Sequence, residues 1–283
     1  MVPHITAYKT PQEFLNKTRA FLEQKELENN LIIGLCNGFP DKTKVHEGCV
    51  FINAFDQHQI QASSIKTISK AVVSGATKQP EPMKALADYY LGEDITLSGV
   101  VGERFCAEAF SAFYGRPQAR EVTMLVHQLA AVNHLPLPAG KMELANAADT
   151  ELLTAWSVDF EEDADIFPRQ NKATIFKNTE ARIQAGHFFK WVVQGEVVSM
   201  AAIVRKTRNI GIVGLVYTPQ TLRGKGYATG IVSTISAYIL QKGYRYCGLF
   251  TDVANPTSNS IYRKIGYVPV TEFKDIEYGL QSP

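Results

Sequence analysis

Residues 216–232 read VYTPQTLRGKGYATGIV. An apolar, β-like run ends near Thr218, a turn carrying Arg223, Gly224, Lys225 and Gly226 follows, and an apolar, helix-like segment begins at about Tyr227. A strand that leads through a glycine-bearing turn into a helix aims free backbone N–H groups, and the positive end of the helix dipole, at whatever lies in the turn. Glycines keep a Cβ out of the way of an anion, and the two cations add charge. The stretch therefore reads as an anion-binding turn, and its spacing narrows the kind. The P-loop pattern GxxxxGK[ST] fails, because Lys225 sits between two glycines and Tyr227 follows. The dinucleotide pattern GxGxxG fits Gly224 and Gly226 but meets Thr229 at its third glycine, with Gly230 one residue late. A third pattern, [RQ]xxGx[GA], is satisfied at every position by Arg223 through Ala228.

Farther along, NPTSNSIYRKIGY (residues 255–267) places Asn255, Tyr262 and the pair Gly266–Tyr267 in order. One helix and one strand separate the two motifs. Together they resemble the GNAT superfamily of acyl-CoA-dependent N-acetyltransferases, over about residues 140–283. The resemblance implies a mixed-sheet α/β (α+β) fold, acetyl-CoA as cosubstrate, no metal, and a small amine or peptide amine as acceptor, acetylated by direct attack. It implies that Val216, Tyr217 and Thr218 face the pantetheine arm and the thioester, chiefly through backbone groups. Arg223, Gly224, Lys225, Gly226, Tyr227, Ala228 and Thr229 would surround the pyrophosphate, and Asn255 and Ser258 would meet the arm. Tyr262 would stand beside the sulfur and protonate it as it leaves. Taken without the family, Tyr262 reads as a packed aromatic and Asn255 as a turn residue before Pro256.

Many family members carry a Glu on the strand before the loop, whereas NIGIVGLVYT has no carboxylate. Candidates for the base are then Glu161, Glu162 and Asp163 at a helix end, and Asp252; the acidic cluster serves equally to attract a cationic acceptor. His187 and Cys247 are expected to be structural. Two other readings stay open: a non-catalytic acyl-CoA-binding or sensing protein that lost the base, and a nucleotide-binding protein.

The rest of the chain bounds the reading. Its 283 residues are 45% hydrophobic and 20% charged, which suits one large or two medium globular domains rather than a disordered chain. A formal net charge of +1 argues against nucleic acid or an anionic membrane as partner. No signal peptide, no membrane-spanning run and no metal-ligating His or Cys spacing is expected. Four scattered cysteines, Cys36, Cys49, Cys106 and Cys247, fit reduced thiols of a cytoplasmic protein. A homodimer is left open.

NHLPLPAGK (residues 133–141) reads as a linker, which divides the chain into a smaller α/β domain, 1–138, and a GNAT domain, 139–283. The second half reads β-α-α-β-β-β-α-β-α-β-β. In the first half a capped helix begins at Thr10, NLIIGLCNGF is ambiguous, and two strands meet at Asp56–Gln57. A helix spans EPMKALADYYLG, and LSGVVGERFCAEAF has the strand-to-helix shape of the anion turn without its motif. This half is expected to be a degenerate GNAT-like repeat that shapes the acceptor pocket; an unrelated α/β lid is the alternative.

Overall fold

The computed structural model describes residues 3–166 and 169–279. These form two compact units, one within Met1–Val126, Thr251–Ala254 and Pro269–Pro283, the other within His127–Phe250 and Asn255–Val268. The chain runs β1 (His4–Ala7), α1 (Pro11–Leu22), α2 (Asn30–Asn37), β2 (Val50–Asp56), β3 (Gln59–Lys66), β4 (Lys70–Gly75), α3 (Glu81–Gly92), β5 (Gly99–Glu103), α4 (Arg104–Tyr114) and β6 (Gln118–Leu129). It continues with β7 (Lys141–Leu144), α5 (Thr150–Asp163), α6 (Lys172–Gln184), β8 (Phe188–Val193), β9 (Glu196–Lys206), β10 (Ile210–Tyr217), α7 (Tyr227–Gln241), β11 (Tyr246–Asp252), α8 (Pro256–Ile265) and β12 (Val268–Tyr278).

In the first unit the strand order is β1-β2-β3-β4-β5-β12-β6, with β4 and β5 parallel. Period-two alternation sends neighbouring residues to opposite faces. Ile52, Ala54, Ala71 and Val73 turn toward Leu86, Tyr90 and Phe110 of α3 and α4, while Phe51, Ile65 and Val72 turn toward Phe14, Leu22 and Ile33 of α1 and α2. The second unit repeats this layering on strands ordered β11-β10-β9-β8-β7. Phe189, Trp191, Ala201 and Val213 pack with Ile231 and Ile235 of α7 and Ile265 of α8, and Phe188, Met200 and Ala202 pack with Leu153 of α5 and Ile183 of α6.

Element for element, β1-α1-α2-β2-β3-β4-α3-β5-α4-β6 recurs as β7-α5-α6-β8-β9-β10-α7-β11-α8-β12. The GNAT-like repeat expected in the first half is present as topology. Its correspondence differs from the expected one, however. LSGVVGERFCAEAF forms β5 and α4, which match β11 and α8; the counterpart of the anion turn is GATKQPEP, between β4 and α3. Strand β4 was not apparent from the sequence, NLIIGLCN is helical, and the two strands expected after Gly266 are the single strand β12.

The units divide at Val126/His127 rather than at residue 138, and β12 from Pro269 onward belongs to the first unit. The proline-rich stretch expected to be a linker is packed within the second unit. Asn133 donates its backbone N–H to Ile265 O (2.8 Å) and its Nδ2 to Lys264 O (3.0 Å). Trp191 Nε1 holds Ala139 O at 2.9 Å. No described helix is long and apolar enough to cross a membrane.

Candidate active site

The site begins with an irregularity in β10. Its antiparallel register with β9 shifts between Gly214 and Tyr217, and Leu215 adopts φ +51°, a left-handed value that marks a bulge. On its other edge, β10 pairs in parallel with β11 only from Ile210↔Tyr246 to Ile212↔Gly248. The strands start together and then leave the ladder, so the backbone edge of β10 from Val213 onward is not matched by β11. Beyond the bulge, buried Ser199 of β9 fixes the chain: its hydroxyl donates to Tyr217 O at 2.9 Å and lies 2.9 Å from the Thr218 hydroxyl.

The turn then enters α7 through Gly224 (φ +80°) and Gly226 (φ +82°). Gly226 is the N-cap residue, no side chain caps the helix, and its first turn holds no acidic residue. The first internal bond is Gly230 N–H to Gly226 O, 2.9 Å. The N–H groups of Tyr227, Ala228 and Thr229 therefore have no partner within the helix. A Cβ on Gly226 would meet only Pro138 at 3.7 Å, so its left-handed backbone, not crowding, requires glycine there. One turn on, the case is reversed: a Cβ on Gly230 would lie 2.8 Å from Pro138 Cγ and 3.1 Å from Trp191 Cζ2. The 133–141 stretch thus braces the start of α7.

The two cations differ. Arg223 Nε donates to Thr218 O at 2.9 Å, its Nη2 pairs with Asp163, and its guanidinium lies 5.8 Å from the Tyr217 ring centroid. Arg223 fastens the turn to β10 and α5. Lys225 is exposed and has no ion pair among the described residues. Tyr217 also packs on Trp156 (6.0 Å) and donates its hydroxyl to Asp159 at 3.4 Å.

Tyr262 lies on α8 with its ring 6.0 Å from Tyr267 and 6.4 Å from His127. Burial pushes its phenol up to about 12, and among the described residues its hydroxyl has no hydrogen-bond partner. His127 is pushed below the usual imidazole range by burial, against a hydrogen bond with Asn259 that favours the protonated ring and acts the other way. Asn255 is the N-cap of α8, its side chain accepting from Ser258 N–H at 3.0 Å. Cys247 is fully buried, donates to Ser236 O at 3.4 Å and is raised to about 12 by burial, as a structural thiol should be. His187 lies 2.7 Å from Lys206 Nζ.

Each expected base already has a structural partner. Glu161 is buried and accepts from Gln170 N–H (3.0 Å) and Gln170 Nε2 (2.8 Å). Glu162 pairs with Arg169 at 3.3 Å, Asp163 with Arg223, and Asp252 accepts from Ala254 N–H at 2.8 Å. Sequence reasoning missed Pro138, Trp191, Ser199 and His127. Only tertiary contact joins them to the site, and no local pattern announces it.

The family model for FR47-like protein matches residues 192–274, from the end of β8 into β12. No curated protein matches the sequence. Among solved structures the chain is similar to a GNAT-family acetyltransferase from Colwellia psychrerythraea: 10% identity and a TM-score of 0.60, over 98% of this chain and 100% of that one. It is similar to a GCN5-related N-acetyltransferase from Sphaerobacter thermophilus, with 13% identity and a TM-score of 0.64 over 97% and 95%. A tandem GNAT protein from the clavulanic acid biosynthesis pathway gives 10% and 0.55 over 99% and 100%. At such identities the likeness is one of fold, and it takes in both units. The chain has the GNAT fold that the two motifs led one to expect, in a two-unit form.

Proposed function

We propose that this protein is an acetyl-CoA-dependent N-acetyltransferase whose second unit carries the reaction. The observation that supports this best is the uncapped start of α7, with left-handed Gly224 and Gly226 before it and the β10–β11 divergence beside it. A diphosphate fits three unpartnered N–H groups, a dipole end and the free Lys225. An extended arm with amide groups fits the edge of β10, where Val216 and Thr218 supply backbone groups to it and to the thioester carbonyl. A primary amine then attacks the carbonyl carbon and the C–S bond breaks. The sulfur leaves with the electron pair and takes a proton from Tyr262, which recovers one from the amine by way of water.

Tyr262 suits that role because of its surroundings. In water a phenol does not readily protonate a thiolate, since thiols are the stronger acids. Burial here pushes the Tyr262 phenol up to about 12 and so holds it protonated, and loss of water makes a departing thiolate a stronger base than it is in solution. The acceptor is a small amine or a peptide amine, and free cysteines at positions 36, 49, 106 and 247 fit a cytoplasmic setting.

A second reading has its own observation. With no carboxylate on β10 and with Glu161, Glu162, Asp163 and Asp252 all engaged, a non-catalytic acyl-CoA-binding protein is the alternative. Thiol release from acetyl-CoA over a broad amine panel separates the two, since the sensor binds and never turns over. In the enzyme, Tyr262→Phe should lower kcat about 100-fold and leave CoA affinity within threefold. Full activity in that variant refutes the acid assignment.

A further inference from the structure

The first unit holds a cavity of about 260 Å³ at the place that corresponds, in the internal repeat, to the site just described. The parallel pairing of β4 with β5 runs from Lys70↔Gly99 to Val73↔Gly102 and stops, so Ser74 and Gly75 lie beyond the ladder, as the end of β10 does. Val73, Phe273 and Cys106 give the cavity an apolar part. It has lost the anion-holding parts, however. Its strand-to-helix turn is GATKQPEP, with Pro80 as the N-cap residue of α3 and Glu81 and Pro82 in the first turn. Both prolines lack an N–H, and the Glu81 carboxylate occupies the positive dipole end and repels an anion there. The backbone cradle that would take a diphosphate is thereby broken.

What lines the cavity instead is charge of both signs: Lys25 and Lys78, Glu28 and Glu103. No two of these four pair with each other, and among the described residues Lys25, Lys78 and Glu28 have no ion pair at all. Elsewhere in the same unit, comparable charges do find each other, as Lys70 does with Asp275 (2.6 Å) and Glu277 (3.0 Å). Glu103 also caps α4, its carboxylate accepting from Phe105 N–H at 3.1 Å; the unpaired Lys25, Lys78 and Glu28, with the remaining acceptor capacity of Glu103, are complementary to a ligand that carries both charges. The volume falls below the roughly 300–1,000 Å³ of drug-sized sites, which suits a small molecule. Cys106 stays a neutral thiol, raised to about 12 by burial, so the cavity binds rather than reacts.

We propose that this cavity binds a free α-amino acid, its carboxylate met by Lys25 and Lys78 and its ammonium by Glu28 and Glu103. The proposal is independent of CoA binding in the second unit. The test screens the twenty standard amino acids singly against the full chain by thermal unfolding, then measures the best by calorimetry beside its carboxamide and its N-acetyl derivative. One amino acid should raise Tm, and each derivative, lacking one charge, should bind at least about tenfold more weakly. Lys78→Met and Glu28→Gln should weaken binding by a similar factor, with far-UV circular dichroism confirming their fold, and Gly226→Glu should leave it unchanged. The proposal falls if no amino acid raises Tm, if the derivatives bind as well as the parent, or if both cavity variants bind normally. Loss of amino-acid binding in Gly226→Glu also overturns it, by moving the ligand to the second unit.

Discussion

Replacing Gly226 tests the anion turn, because the structure separates the cost to the fold from the cost to the ligand. With φ at +82° an L-residue pays a left-handed penalty of about 1–2 kcal/mol, and the nearest atom to a new Cβ, Pro138 Cβ at 3.7 Å, adds no clash. Gly226→Ala should therefore fold and lower Tm by roughly 2–8 °C. Gly226→Glu has the same backbone cost and also sets a carboxylate at the uncapped end of α7. One such charge about 6 Å from two phosphate charges, at an effective dielectric constant of about 20, opposes binding by about 5 kcal/mol before screening. A third of that exceeds tenfold in Kd. Calorimetric titration with CoA should show Gly226→Glu at least tenfold weaker than Gly226→Ala, whereas scanning calorimetry should give the two a similar Tm. Equal CoA affinity in the two variants would mean that the anion lies elsewhere, and the assignment of the turn would be wrong.

Gly230→Ala should destabilise the second unit by about 1–3 kcal/mol, although alanine favours helix by nearly 1 kcal/mol, because its Cβ would lie 2.8 Å from Pro138 Cγ; urea unfolding measures it, and a stabilised variant would show the proline brace to be soft. Burial pushes Tyr262 up to about 12 from its ordinary 10.0, so its contribution should be whole below pH 10 and decline as pH rises toward 12, by up to about 1.4 kcal/mol per pH step. Stability between pH 9 and 11 should accordingly fall less steeply in Tyr262→Phe than in the parent, and parallel curves would contradict the burial of that hydroxyl.

Arg223 to Thr229 and Asn255 to Tyr267 were legible in the sequence because turns and helix caps are local: the glycines and the N-cap asparagine act through their own backbone. Strand β4 was not, because KAVVSG is short, and burial on both faces gives it a continuous apolar run with no period. Missing it paired the wrong strand and helix with the anion turn. Pro136 and Pro138 signalled a linker, since proline and glycine punctuate loops; the packing of Pro138 against α7 depends on Gly230 and Trp191, remote in sequence. The acidic run at the end of α5 could not reveal that its members hold Gln170, Arg169 and Arg223. YVPV and EFKDIEYG read as two short strands, yet β12 runs unbroken from Val268 to Tyr278.

The membership of β12 bears on how the chain is made. Ile276 and Tyr278 complete the core that Val100 and Phe110 begin, so the first unit reaches its final form only after every residue of the second has left the ribosome. Synthesis ordinarily lets an N-terminal domain close first. Here the earlier half must wait with a gap beside β5 while the later half becomes foldable. No single cut in the gene can deliver the two halves as separate, whole products.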